Sequence, residues 1–228
     1  MREKRKGEKQ RKKENNTEKI FFEMDNNTRK IKFIFDLDGT VTSEETLPLI
    51  AKHFKVEEEI EKLTQETVQG NIPFVESFIR RVFILGKLPV NEVADLLETT
   101  KLYPKLVAFI RQHSENCAIA TGNLECWSHK LLKKIGCESF CSDAIVEDNH
   151  VTKLTKILRK EQVVEQYQKD GFTVVFIGDG NNDLEAMRVA DIAIAVGMTH
   201  NPSKSILPIT NYLIFSEEAL CRQLNQLL

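Results

Sequence analysis

The sequence has no C-x-x-C pair and only five cysteines, Cys117, Cys126, Cys137, Cys141 and Cys221. An odd number without zinc-type spacing disfavours a disulfide framework, a metal-thiolate site and a catalytic thiol; reduced, structural cysteines are the expectation. Long apolar runs are missing too, and none approaches the roughly 20 residues that a membrane-spanning helix needs. The basic amino terminus is not followed by an apolar segment, so it does not read as a secretory signal. Internal repeats and low-complexity tracts are absent outside that amino-terminal stretch. Together these absences predict a cytoplasmic chain without a membrane partner.

What is present suffices for a packed domain: 228 residues, 41% of them hydrophobic, can bury a full core with a smaller part appended. Charge is unevenly spread. Residues 1–19 hold nine Lys/Arg against four Glu, leaving 23 basic and 30 acidic residues for the rest. The folded part is therefore acidic, which argues against a nucleic-acid partner there but leaves room for a local basic pocket. Residues 1–27 read as a disordered, lysine-rich tail. An RNA-binding arm is one alternative for it, and an extension upstream of a working start at Met24 is another.

Along the chain, Ile31-Lys32-Phe33-Ile34-Phe35 reads as a buried strand that ends in Asp36-Leu37-Asp38-Gly39-Thr40. Thr42 or Ser43 is expected to cap a helix with Glu in its first turn. Up to about Thr100 the pattern is wholly helical, with segments 56–68, 74–85 and 90–97 broken at Gly70-Asn71 and Gly86-Lys87. Alternation follows: helix 104–113, strand 117–120 ending in Thr121-Gly122-Asn123, helix 126–135, short strands over 139–151 with a turn at Asp148-Asn149, and helix 153–169. Strand 173–177 then ends in Gly178-Asp179-Gly180-Asn181-Asn182-Asp183, and helix 184–189, strand 192–196, a short strand at 212–215 and a helix from Glu217 complete the chain. Strands separated by helices predict an α/β fold with a Rossmann-like parallel sheet. The boundaries expected are a core of residues 28–42 and 101–228 and a small α-helical cap, residues 43–100, inserted into it.

In a parallel sheet the three polar strand ends gather at the carboxyl edge, where ligands bind. Asp36 and Asp38 would repel each other there unless a cation sits between them or one keeps its proton. Asp36 and Asp179 offer the hard oxygens that suit Mg²⁺, and Thr121 offers a hydroxyl. This arrangement resembles the haloacid dehalogenase superfamily, whose members mostly transfer phosphoryl groups through an aspartyl phosphate. The resemblance runs from about Ile31 to the carboxyl terminus, with four motifs in the expected order. It implies Asp36 as nucleophile, Asp38 as general acid/base, Thr121 as phosphoryl-oxygen ligand, and Asp36, Asp38 and Asp179 around Mg²⁺. Asp183 would be the second acidic residue of its loop. Lys160 is taken as the phosphate-side cation, with Lys156 and Arg159 as fallbacks.

The helical insertion resembles the phosphoserine phosphatase branch. There Glu45 would hold a substrate ammonium, Arg81 a carboxylate, Val68 and Phe74 would be apolar cap positions, and Gly122 and Asn123 would border the substrate. A small phosphorylated metabolite is thus the partner implied, and phosphoserine hydrolysis the activity. Two departures stand out: Thr121-Gly122-Asn123 replaces the branch's usual Ser-Gly-Gly, and the region 143–156 looks short for its hairpin. Another metabolite phosphate, or transfer to an alcohol acceptor as in homoserine phosphotransferases, remains open. So does a non-enzymatic module that retains metal and binds RNA through its tail. Bland readings compete at single residues: Glu45 as a first-turn glutamate favoured by the helix dipole, Arg81 as a solvated neighbour of Arg80, and Thr121 as a helix cap. His53, His113, His129 and His200 read as surface or packing residues.

Overall fold

Each strand forms where apolar residues run almost without interruption, the pattern expected of strands covered on both faces. The computed structural model describes residues 30–68 and 71–228, apart from the side chains of Thr64, Thr67, Val68 and Phe74. The expectations for the 1–27 tail and for the Val68 and Phe74 side chains lie outside the described residues. In chain order the elements are β1 (Lys30–Phe35), α1 (Thr46–His53), α2 (Glu57–Val68), α3 (Phe74–Leu85), α4 (Val90–Glu98) and α5 (Pro104–Gln112). Then come β2 (Cys117–Leu124), α6 (Glu125–Ile135), β3 (Glu138–Glu147), β4 (His150–Lys156) and α7 (Lys160–Lys169). The remaining elements are β5 (Phe172–Gly178), α8 (Leu184–Val189), β6 (Ile192–Val196), β7 (Tyr212–Ile214) and α9 (Glu217–Leu227).

The sheet has seven strands in the order β4-β3-β2-β1-β5-β6-β7. Strands β1, β2 and β3 pair in parallel, as do β5, β6 and β7, whereas β3 and β4 form an antiparallel hairpin. The chain runs outward from β1 on one side through β2, β3 and β4, then returns to place β5 on the other side of β1. The direction of winding therefore reverses at β1, and the carboxyl end of β1 is the crevice where open α/β sheets bind ligands. The α/β expectation with a mostly parallel sheet is met.

Side-chain alternation sorts the core. Phe33, Phe35, Ile119, Val175, Ile177 and Ile194 pack under α5, α6 and α9, while Ile34, Ala118, Ala120, Val174 and Phe176 pack under α7 and α8. A third cluster joins α1 to α4 through Ile50, Ile60, Phe78, Val82, Leu85, Val93 and Leu97, and it is anchored on Leu124 and Trp127 at the β2–α6 junction. On α3, Phe78, Val82 and Leu85 recur at helical spacing and are buried, while Glu76 and Arg80 face outward. The helices of the expected cap thus share an apolar cluster with the sheet layer, and residues 31–228 form one compact unit.

Several local expectations are corrected. The helix anticipated over 153–169 starts only at Lys160, because His150–Lys156 pairs with β3 around the positive-φ turn Asp148-Asn149. The 117–120 strand extends to Leu124, so Thr121-Gly122-Asn123 lie within β2. Neither Thr42 nor Ser43 caps α1: the N-cap is Glu45, without a side-chain cap bond, and no acidic residue sits in the first turn. The Thr42 hydroxyl instead donates to backbone carbonyls in the preceding loop. None of the described helices is long and apolar enough to cross a membrane.

Candidate active site

Strand pairing stops at Phe35, but one further ladder bond, from Asp36 N–H to the Ile177 carbonyl at 2.8 Å, fixes Asp36 at the tip. Alternation persists for the next two residues. Leu37 is buried in the core cluster, while Asp36 and Asp38 line a cavity of about 300 Å³. Gly39 then turns at φ +69°, and a Cβ there would lie 2.9 Å from Asp179 Oδ2 and 3.0 Å from His200 Nε2. Only glycine permits that approach of the β1 loop to the β5 loop. Thr40 completes the join by donating its hydroxyl to Asp179 Oδ1 at 2.8 Å.

Lys160, the first residue of α7, is buried, with Nζ 2.6 Å from Asp36 Oδ1 and 2.6 Å from Asp183 Oδ1. Lys156 lies exposed on edge strand β4, and Arg159 points to solvent against Glu161, whereas Lys160 is the one of the three that contacts Asp36. Burial opposes its charge, but the two carboxylates override this and hold the Lys160 ammonium above its ordinary range. Burial, reinforced by Asp183, pushes Asp36 well above the usual carboxylate range. Asp183 is buried and shapes its own loop, accepting the N–H groups of Asp179 at 3.1 Å and Gly180 at 2.9 Å on Oδ2.

One oxygen from each of Asp36, Asp179 and Asp183 falls within 4.8 Å of the others. Three buried carboxylates converging on one point, with Lys160 against two of them, fit a small divalent cation that is held by oxygen ligands. Asp38, expected as a ligand, is not part of that cluster: its Oδ1 accepts Thr46 N–H at 2.8 Å and its Oδ2 accepts the Asn123 side-chain amide at 2.8 Å.

The remaining wall comes from the helices. Arg81 Nε and Nη2 reach Ser77 Oγ at 3.1 and 2.8 Å, which presents the guanidinium at the cavity, while Arg80 turns out to Glu76. Leu47, Pro48, Ile60 and Phe78 supply apolar lining, and Gly122 offers an unobstructed face. Thr121 is buried and does not line the cavity; its hydroxyl accepts Asn123 N–H at 3.2 Å rather than capping α6, whose N-cap is Leu124. Burial pushes the Cys117 and Cys137 thiols up to about 12, in keeping with structural cysteines.

His200, read from sequence as a surface or packing residue, lines the cavity. Its Nε2 lies 2.8 Å from Glu45 Oε1 and 3.0 Å from Asp179 Oδ2, and the hydrogen bond to Asp179 is the main cause of its rise to about 10. Glu45 is therefore neither a first-turn helix residue nor solitary. The available signal was position: His200 follows the end of β6, a fourth strand tip at the same sheet edge.

A family model for haloacid dehalogenase-like hydrolases matches residues 33–191. The chain is 28% identical over 180 residues to the phosphoserine phosphatase of Methanocaldococcus jannaschii, covering 73% of this chain and 85% of that protein. It is 30% identical over 196 residues to the phosphoserine phosphatase of Saccharomyces cerevisiae, covering 77% of this chain but 62% of that longer relative. Among solved structures, a phospho-aspartyl intermediate analogue of phosphoserine phosphatase superposes with a TM-score of 0.72 at 23% identity, covering 88% of this chain and 100% of that one. At that identity the likeness concerns the fold. With the matched stretch running from β1 through the Asp36, Lys160 and Asp179–Asp183 positions, the chain belongs to the haloacid dehalogenase-like hydrolases.

Proposed function

We propose that the protein is a Mg²⁺-dependent phosphomonoesterase that hydrolyses phosphoserine through a phosphoryl group carried on Asp36. The observation that carries this reading is the placement of Asp36: a buried carboxylate at the switch point of the sheet, 2.6 Å from Lys160 and open to a cavity that also receives Arg81 and Glu45. Phosphoserine carries a phosphate, a carboxylate and an ammonium. Arg81 takes the carboxylate as a planar fork, and Glu45, shared with His200, takes the ammonium.

Asp36, Asp179 and Asp183 would hold the metal, which supplies positive charge that lets one anion approach another. Lys160 neutralises the same approach from the α7 side and keeps Asp36 oriented. Asp36 attacks phosphorus as the bond to the serine oxygen breaks, and Asp38 gives that oxygen its proton. Asp38 then takes a proton from water as the water oxygen attacks the acyl phosphate, which releases inorganic phosphate and restores Asp36. Gly122, in β2, leaves room at the cavity wall for the transferring oxygens. Helices α1 to α4 act as a cap that excludes bulk water during the cycle.

The test is parallel measurement of phosphate and serine release from phosphoserine with Mg²⁺. Equal release of both products, lost in Asp36→Asn, is expected. Undiminished turnover by that variant, or no release from phosphoserine while another metabolite phosphate is cleaved, overturns the nucleophile or the substrate respectively.

A further inference from the structure

Asn123 lines the cavity, but its side-chain donors are committed to Asp38 and Thr46. Its amide nitrogen donates to Asp38 Oδ2 at 2.8 Å and to Thr46 Oγ1 at 2.8 Å, and the residue is only 4% exposed. The opposite flip would set the amide oxygen against a carboxylate, so electrostatics fixes the orientation. The other Asp38 oxygen is held as well, because Thr46 N–H donates to Oδ1 at 2.8 Å. Thr46 opens α1, whose N-cap Glu45 makes no side-chain cap bond, so Asp38 satisfies an orphan helix N–H from outside the helix. Asp38, Asn123 and Thr46 thus close a ring of three hydrogen bonds that ties the β1 tip, the β2 tip and the first turn of α1 together.

We infer that Asn123 is a positioning residue for Asp38, locking the rotation of its carboxylate for proton transfer to the leaving oxygen; this rests on the phosphomonoesterase reading above. The inference separates two possible uses of the residue. A side chain that recognises substrate would turn its donors into the cavity, and its loss would raise KM. A side chain that aims Asp38 acts on the chemical steps: on the Asp36 attack only where the leaving oxygen needs a proton, and on the later attack of water with any substrate. General acid–base catalysis contributes about 10²- to 10⁴-fold, so loosening the aim rather than removing the acid forfeits part of that range.

The test compares Asn123→Gly and the isosteric Asn123→Asp with the wild-type full chain on two substrates: phosphoserine, whose alkoxide must be protonated, and p-nitrophenyl phosphate, whose phenolate leaves without help. The expected result is a fall of about 10- to 100-fold in the saturating single-turnover rate of alcohol release from phosphoserine, with the half-saturating concentration changed less than about threefold. The fall on p-nitrophenyl phosphate is expected to be several-fold smaller. Asn123→Asp keeps the side-chain volume and replaces the donor to Asp38 with a carboxylate, so a defect there at least as large as in Asn123→Gly assigns the effect to the contact with Asp38 rather than to a cavity. Hydrogen exchange of the Thr46 amide provides a readout independent of turnover, and it is expected to quicken about tenfold or more in both variants. Equal first-turnover losses on the two substrates, an effect confined to the half-saturating concentration, or an unaltered Thr46 amide each overturn the inference. Absence of phosphate release by the wild type sinks the phosphomonoesterase reading instead, and the Thr46 measurement still decides whether the tie exists.

Discussion

Two lysines are buried at opposite ends of β1, each about 4% exposed, and they are satisfied in different ways. At the amino end, Lys32 Nζ donates to the Glu115 carbonyl at 3.0 Å, lies 3.4 Å from Glu138 Oε2 and sits 4.6 Å over the Tyr167 ring. The Glu138 side chain is 54% exposed, and it also accepts the Tyr167 hydroxyl. One cation there meets one hydrated carboxylate, a neutral carbonyl and an aromatic face, and nothing is left in excess. At the carboxyl end, Lys160 faces Asp36 and Asp183, whose side chains are 5% and 0% exposed, with Asp179 close behind. Negative charge there exceeds what one lysine balances. Burial of uncompensated like charges is costly, and folds retain it mainly where a ligand or a reaction uses it. The same residue type, in β1 and at the start of α7, thus marks a strut in one place and a charge-rich site in the other.

The sharpest way to break this comparison is at Asp36. Asp36→Asn is expected to cut Mg²⁺-dependent phosphate release by roughly 10³-fold or more, because the nucleophile is gone. Burial and Asp183 already hold Asp36 well above the usual carboxylate range, so removing its charge should leave the metal-free protein as stable as before or more so by thermal melting. A marked drop in melting temperature would place Asp36 with the struts.

Exchanging the two lysines for methionine comes next in expected size. Lys160→Met should lower kcat/KM by about 10²- to 10³-fold, since it removes a preorganised cation. Lys32→Met should cost about 1–3 kcal/mol in denaturant unfolding and leave kcat/KM of the folded enzyme within about twofold. Comparable kinetic losses in both variants would erase the distinction.

Metal titration sharpens the contrast in charge. Millimolar Mg²⁺ should raise the melting temperature of the wild type and of Lys32→Met, because a ligand that binds only the folded state stabilises it. In Asp179→Asn that shift should shrink or vanish. The smallest effect expected is at the cap: Arg81→Ala should raise KM for phosphoserine by about tenfold while changing kcat less, and should leave KM for phosphate esters without a carboxylate nearly untouched.

Much of this was legible from local pattern. Phe74–Leu85, Leu184–Val189 and Ile192–Val196 formed with the predicted bounds, since their periodicity and their flanking Pro, Gly or Asp agree with the packing they enter. Asp36, Asp179 and Asp183 stood out because acidic and glycine residues abruptly ended apolar runs. The start of α7 was misplaced because residues 153–160 contain no Gly or Pro to separate strand from helix, and only pairing with β3 holds the stretch up to Lys156 extended. The helix start near Thr42 failed for a related reason: the loop uses the Thr42 hydroxyl to hold its own turn.

Sequence alone determined the order of strands and helices, the burial of β1 and the acidic residues delivered to its tip, because hydrophobic periodicity and side-chain chemistry are properties of neighbouring residues. Tertiary structure decided which distant groups meet. His200 reaches Glu45 across 155 residues of chain, and Asn123 reaches Asp38 across 85. Such pairs have no local signature, since each side chain would be an ordinary polar residue in isolation. They take on a role only when the reversal of winding at β1 brings the ends of β1, β2, β5 and β6 to one edge.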